Sequence, residues 1–217
     1  MRALTFNDLM FLPYAARWTL LLSIAAFIGG GLIGLAIALM RVSDNRALRW
    51  VAIGYIRVFQ GTPLLLQLFL VFFGGDLLGL SLGPYLSAIL GLSLNAGAFL
   101  GEIWRGSIQA VAPGQVEAAR ALGLHYGPLM LRVVAPQALR VATAPTVGFL
   151  VNLVKSTSLA AVIGFVELTR AGQLLNNATF RPFAIFGTVA LIYFVLCWPL
   201  TVLSRKLERK LGTAYKR

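Results

Sequence analysis

The chain has 217 residues, 59% of them hydrophobic and only 12% charged, with a formal net charge of +12. A soluble domain carries about twice that share of charge, and the mean hydropathy is +0.82, so the composition excludes an ordinary soluble domain and points to a multi-pass membrane protein. The positive excess is not a nucleic-acid footprint, because the aromatic residues that would stack on bases lie inside the apolar runs.

Taken in chain order, residues 6–16 ("FNDLMFLPYAA") suit a short segment lying at the outer membrane interface. The apolar run that follows, from Trp18 to Met40, is longer than a signal-peptide core and has no small-residue cleavage site, so it is read as a retained anchor. A helix needs about 20 apolar residues to cross the hydrocarbon layer. Five segments meet this, at about 18–40, 51–73, 83–103, 138–165 and 183–203. In lipid their backbone groups must pair internally, so they are helices, and the fold class is an all-α membrane protein in one domain, 1–217. Gly30 and Gly34, and Gly97 and Gly101, are spaced four apart, as residues at close helix–helix contacts are.

The connectors set the orientation. Arg41, Arg46, Arg49 and Arg57 lie around the first, and Arg105, Arg120, Arg132 and Arg140 around the third. The tail adds Arg205, Lys206, Arg209, Lys210, Lys216 and Arg217. The other side holds Arg2, Arg17, Arg170 and Arg181. Positive residues stay in the cytoplasm, so the N-terminus is expected outside and the C-terminus inside, which five spans also require.

The third connector carries a polar stretch, 113–136. Pro113 and Gly114 precede "QVEAARAL", a run of good helix formers with Ala118, Ala121 and Leu122 on one face. Gly123 suits a left-handed stop, Pro128 the first turn of a second helix, and Pro136 its end. Spacing alone leaves two readings open: a docking hairpin for another protein, or an amphipathic loop that shields the bundle.

Lys155 sits inside the fourth apolar run, where a central Lys costs about 2.5–3.5 kcal/mol and so faces a cavity or partner. Ser156, Thr157 and Ser158 follow it and can loosen the helix by bonding its backbone. A cation beside freed N–H groups suits a substrate carboxylate, which makes Lys155, Ser156, Thr157, Ser158 and Asn95 the candidate substrate-binding set; the alternative for Lys155 is a structural ion pair with Glu102 or a partner subunit. Asn95 lines a path or packs between helices with equal weight, and Gln67 leans towards packing. Glu102, Trp104 and Arg105 read as interfacial, and Glu167 as a residue of the outer mouth, meeting solvent or a partner. Cys197 is a lone apolar thiol, and His125 has no Cys or second His to share a metal, so neither a metal site nor a catalytic site is expected. An intramembrane hydrolase using Ser93 fails because the only His lies in the cytoplasmic hairpin.

"EAARALG" (Glu117, Ala118, Ala119, Leu122, Gly123), followed by Val133 and Pro136, resembles the EAA loop of ABC importer permeases, with Ala135 where Leu is usual. "YIRVFQGTPLLLQLF" (55–69), "GEIWRGSIQAV" (101–111), "VKSTSLAAVIGFVELTRAGQ" (154–173) and "FRPFAIFGTVALIYFVLCWPLTVLSRKLER" (180–209) are similar to the polar amino-acid branch of that family. Its common motif is Lys-Asp-Thr-Ser-Leu; here Ser156 takes the place of the Asp. The resemblance implies the permease subunit of a bacterial inner-membrane, binding-protein-dependent importer of a polar amino acid, working by alternating access. It implies a second permease subunit, an extracytoplasmic binding protein, and two cytoplasmic ATPases that grip the hairpin and hold the ATP and Mg. No G-x-x-x-x-G-K-[ST] occurs in this chain, so it carries no P-loop of its own. A self-contained secondary carrier is the competing reading, weakened by the lack of an internal repeat.

Overall fold

The computed structural model describes residues 5–214; Arg2, Lys216 and Arg217, counted above for orientation, lie outside them. The described residues are helical, with no strand among them. Helix α1 (Phe6–Val42) is continuous, so residues 6–16 are its first turns and not a separate interfacial segment. Its 37 residues span roughly 55 Å, well beyond the hydrocarbon thickness. Leu12, Ala15 and Ala16 of this extension are buried against Leu168, Ala171 and Val189, and that packing holds the extra turns helical.

The expected second span is broken. Helix α2 (Arg46–Gly61) and helix α3 (Leu64–Leu77) meet at 105°. Pro63 has no N–H to continue the helix, and its ring forces Thr62 into extended backbone (φ −118°, ψ 146°). Helix α4 (Gly83–Gln109) is the axle of the bundle, with 61% of its most apolar stretch buried. The two glycine pairs face one another across α1 and α4: a Cβ at Gly97 would lie 2.5 Å from Ile33 Cγ2, and one at Gly34 would lie 2.9 Å from Leu100 Cβ. Leu22, Ala26, Leu68, Leu92, Ala96 and Leu153 form the main core around this crossing.

Helices α5 (Pro113–Ala121) and α6 (Tyr126–Leu129) make the hairpin. Pro136 does not end its second helix. A wider turn, Met130–Val134, carries α6 into helix α7 (Ala135–Ser156), whose first turn accommodates the proline and its missing N–H. The fourth span also ends early: after Ser156 the chain tightens into a 3₁₀ turn, Thr157–Ala161, and then leaves the helix. A short helix, α8 (Leu168–Thr179), follows, and α9 (Pro182–Ala214) closes the described chain.

Among the described residues, three helices are long and apolar enough to cross a membrane, α1, α4 and α9, and the bent pair α2–α3 would make a fourth. Helix α7 carries Arg140, Thr143, Asn152 and Lys155, and is not among them.

Candidate functional site: two grooves and a hairpin

The break between α2 and α3 leaves backbone groups without helical partners, and polar side chains from neighbouring elements take them up. Gln67 Nε2 donates to the carbonyls of Phe59 (2.8 Å) and Thr62 (3.1 Å) and to the Thr62 hydroxyl (2.9 Å). Asn95 Nδ2, on the axle, donates to the same Phe59 carbonyl (3.2 Å) and to Gln67 Oε1 (3.0 Å). Gln60 Nε2 donates to the Ala98 carbonyl (3.2 Å), and the Tyr55 hydroxyl to the Leu94 carbonyl (2.6 Å). Gln67 is buried and lines neither groove, so it packs and hydrogen-bonds at the bend, as Asn95 also does from α4. Beside this bend is a groove of about 310 Å³, lined by Phe59, Gln60, Thr62, Leu64, Asn95, Phe99, Phe149, Asn152, Leu153 and Ser156. Phe99 and Phe149 stack across it with ring centroids 5.6 Å apart.

A second groove, of about 570 Å³, runs between α7 and α9. Lys155, Ser158, Tyr193, Trp198, Thr201 and Arg205 are among its lining residues. The residues expected to form one substrate cluster are thus divided. Asn95 and Ser156 line the first groove, Lys155 and Ser158 the second, and Thr157 is buried with its hydroxyl donating to the Val154 carbonyl (2.7 Å). The reason is helical: successive residues of α7 are about 100° apart around its axis, so Lys155 and Ser156 face different neighbours. The Ser158 hydroxyl donates to the Lys155 carbonyl (2.7 Å), which closes the 3₁₀ turn. Sequence reasoning missed Asn152, Gln60 and Thr62. The signal was present, since Asn152 precedes Ser156 by four on one helix face and Gly61-Thr62-Pro63 interrupts an apolar run.

Glu102 does not pair with Lys155. Arg105 bonds it from the next turn, and Arg41 Nε on α1 lies 3.8 Å from it. Trp104 Nε1 donates to Thr146 Oγ1 (3.0 Å), tying α4 to α7. Glu167 is not at an open mouth; it is 0% exposed. Its carboxylate caps α8 by accepting from the N–H groups of Thr169 and Arg170 (both 2.9 Å), and it accepts from the Tyr193 hydroxyl (2.8 Å) on α9 and the Thr19 hydroxyl (3.4 Å) on α1. Burial pushes this carboxyl above its ordinary range, and the four donors oppose the shift.

In the hairpin, Gly123 has φ +78°, the left-handed value that ends α5 without a Cβ penalty. Glu117, Ala118, Leu122 (83% exposed) and Gly123 face outwards. Ala119 does not: it is buried with Val111, Leu129, Val134 and Ala138, and anchors the hairpin to the base of the bundle. His125 is exposed at the start of α6, whereas Ser93 is buried with its hydroxyl towards the Ala26 carbonyl, so the two cannot form a nucleophilic pair.

The described residues thus form an apolar helical bundle with a bent helix pair, a groove with several polar groups at the bend and an exposed polar hairpin. Comparison with known proteins gives its family. The profile of the binding-protein-dependent transport system inner membrane component family matches residues 30–213, and the chain belongs to that family. It is 37% identical over 201 residues to the probable amino-acid ABC transporter permease protein YckA of Bacillus subtilis (strain 168), covering 91% of this chain and 89% of that one. It is 38% identical over 195 residues to the L-cystine transport system permease protein TcyB of the same organism, covering 89% and 83%. Among solved structures, a chain of an amino acid ABC transporter crystallised with histidines superposes with a TM-score of 0.87 at 34% identity, covering 96% of this chain and all of that one. The chain is therefore an ABC importer permease, a transport subunit and not an enzyme, with ATP hydrolysis belonging to a separate subunit.

Proposed function

We propose that this permease moves a polar amino acid or a close analogue across the bacterial inner membrane, with the solute held in the groove at the α2–α3 break. The observation that carries the reading is the break itself. It sets the N-terminus of α3, at Leu64, in one groove with Asn95, Asn152 and Ser156. Half-helix N-termini of broken membrane helices suit the carboxylate of a transported solute. A groove of about 310 Å³ is at the small end for ligand pockets, as a single amino acid requires. The amino-acid permeases among its relatives support the same class.

In this proposal five segments span the membrane: α1, the α2–α3 pair, α4, α7 and α9, with the N-terminus outside and the C-terminus in the cytoplasm. Helix α7, 22 residues and roughly 33 Å long, reaches across the layer and turns its polar residues to the grooves. The hairpin then lies in the cytoplasm. Glu117, Ala118, Leu122 and Gly123 form its docking surface for one of two ATPase subunits, and Ala119 supports that surface from within. A second permease subunit and an extracytoplasmic binding protein complete the assembly. The test is labelling of single cysteines in a Cys197→Ala background with a membrane-impermeant maleimide on intact cells. Cysteines at Gly79 and Asn177 are expected to react and one at Gln115 to stay unlabelled. The reverse pattern removes the docking role from the hairpin.

A further inference from the structure

We infer that the groove accepts a zwitterionic amino acid whose side chain carries no net charge, and that Ser156 sets this preference; the inference rests on the groove being the solute site. Among the described residues its lining holds no ionisable side chain, only the polar groups of Gln60, Thr62, Asn95, Asn152 and Ser156 among aromatic and aliphatic walls. Lys155, the charged neighbour of Ser156, lines the other groove.

The hydrogen-bond pattern fixes what the lining offers. Both acceptors of Asn95 Nδ2 are carbonyl oxygens, which sets the orientation of that amide and leaves Asn95 Oδ1 for the groove. The Gln60 NH₂ is held by the Ala98 carbonyl, which leaves Gln60 Oε1. Asn152 and Ser156 bring a whole amide and a hydroxyl with no protein partner among the described residues. Such groups match an amide, a hydroxyl or an internally balanced polar side chain donor for acceptor. A lone guanidinium or ammonium in the same place would lose its water and meet no counter-charge, and a lone side-chain carboxylate, with the N-terminus of α3 taken by the α-carboxylate, would meet no cation either. An acid at position 156, as in the Lys-Asp-Thr-Ser-Leu pattern, would put that missing negative charge into the groove; this chain has Ser.

The experiment measures equilibrium binding of radiolabelled glutamine, cystine, arginine and glutamate to the detergent-purified permease–ATPase complex, without the binding protein, so that only the permease selects. Wild type is expected to bind glutamine or cystine at least tenfold more tightly than arginine and glutamate. Ser156→Asp is expected to narrow or reverse the gap by strengthening arginine binding at least tenfold, with co-elution of the ATPase confirming an intact complex. Asn152→Ala and Gln60→Ala are expected to weaken the preferred solute at least tenfold. Tighter binding of arginine than of either neutral solute by wild type overturns the inference, while losses in the two alanine variants would still leave the groove as the site. Unchanged binding in both alanine variants removes the groove itself, and the inference with it. Failure of all four solutes to bind also overturns it.

Discussion

Gly97→Ala adds one methyl group where α1 and α4 cross. The new Cβ would lie 2.5 Å from Ile33 Cγ2, 2.8 Å from Ile33 Cβ and 3.1 Å from the Tyr55 hydroxyl. Carbon atoms rest at about 3.5–4.0 Å, so the helices must separate by roughly 1 Å or Ile33 must change rotamer. Ile33 is β-branched and stiff at χ1, and the Tyr55 hydroxyl is fixed by its bond to the Leu94 carbonyl. Overpacking of this kind costs about 1–3 kcal/mol. For a chain of this size that lowers the unfolding midpoint by roughly 2–12 °C. The control is Gly106→Ala on the same helix, where an added Cβ meets nothing within 4 Å. There Ala is the better helix former, and stability should hold or rise by up to about 1 kcal/mol. The assay is thermal unfolding of the detergent-purified complex, followed by near-UV circular dichroism. A further arm, Ile33→Ala with Gly97→Ala, should recover part of the loss, because the two sites share one contact. Equal midpoints for Gly97→Ala and Gly106→Ala would refute the claim that this crossing is limited by the glycine.

Gly123→Asp forces a side chain onto a φ of +78° in open space, so strain and not collision is the perturbation. Its cost is about 1 kcal/mol, and the expected result is a membrane-inserted chain with reduced ATPase co-purification and transport; normal transport with normal assembly counts against the docking surface. Lys155→Met should leave solute binding within about threefold, because Lys155 lines the α7–α9 groove, whereas a loss of two orders of magnitude, rescued in part by Lys155→Arg, would return it to the solute site. Glu167→Gln keeps the shape of the buried cap and removes its charge. The folded carboxyl titrates above its usual value of 4.5 because of burial. Its contribution is therefore full below that value and is lost as pH rises through the raised one. The variant should unfold with a flatter pH dependence in the range above 4.5, and an unchanged slope in thermal scans would show that Glu167 does not titrate there.

The bundle was legible because lipid leaves few options. Long apolar runs must be helices, and the small-residue spacing of Gly30, Gly34, Gly97 and Gly101 announced a close crossing before its partner was known. The left-handed stop at Gly123 was likewise local, fixed by one residue and its neighbours. Hydropathy averages over a window, however, and a window cannot see a break. The 105° bend at Pro63 and the early end of α7 at Ser156 lie inside stretches read from the sequence as single spans, 51–73 and 138–165. Thr62-Pro63 and the run of hydroxyl residues after Lys155 were the only local marks. Whether Ala118 or Ala119 faces out, and which groove Lys155 or Ser156 enters, depends on helix phase against neighbours distant in the chain. Glu167 shows the same limit most sharply. Its sequence position suggested an open mouth, but Thr19 and Tyr193, 148 and 26 residues away, fold over it and make it a buried cap. Composition and periodicity thus determined the all-helical, apolar class and one close crossing. The polar groove was decided by tertiary packing, because it exists only where the broken ends of α2 and α3 meet the polar faces of α4 and α7.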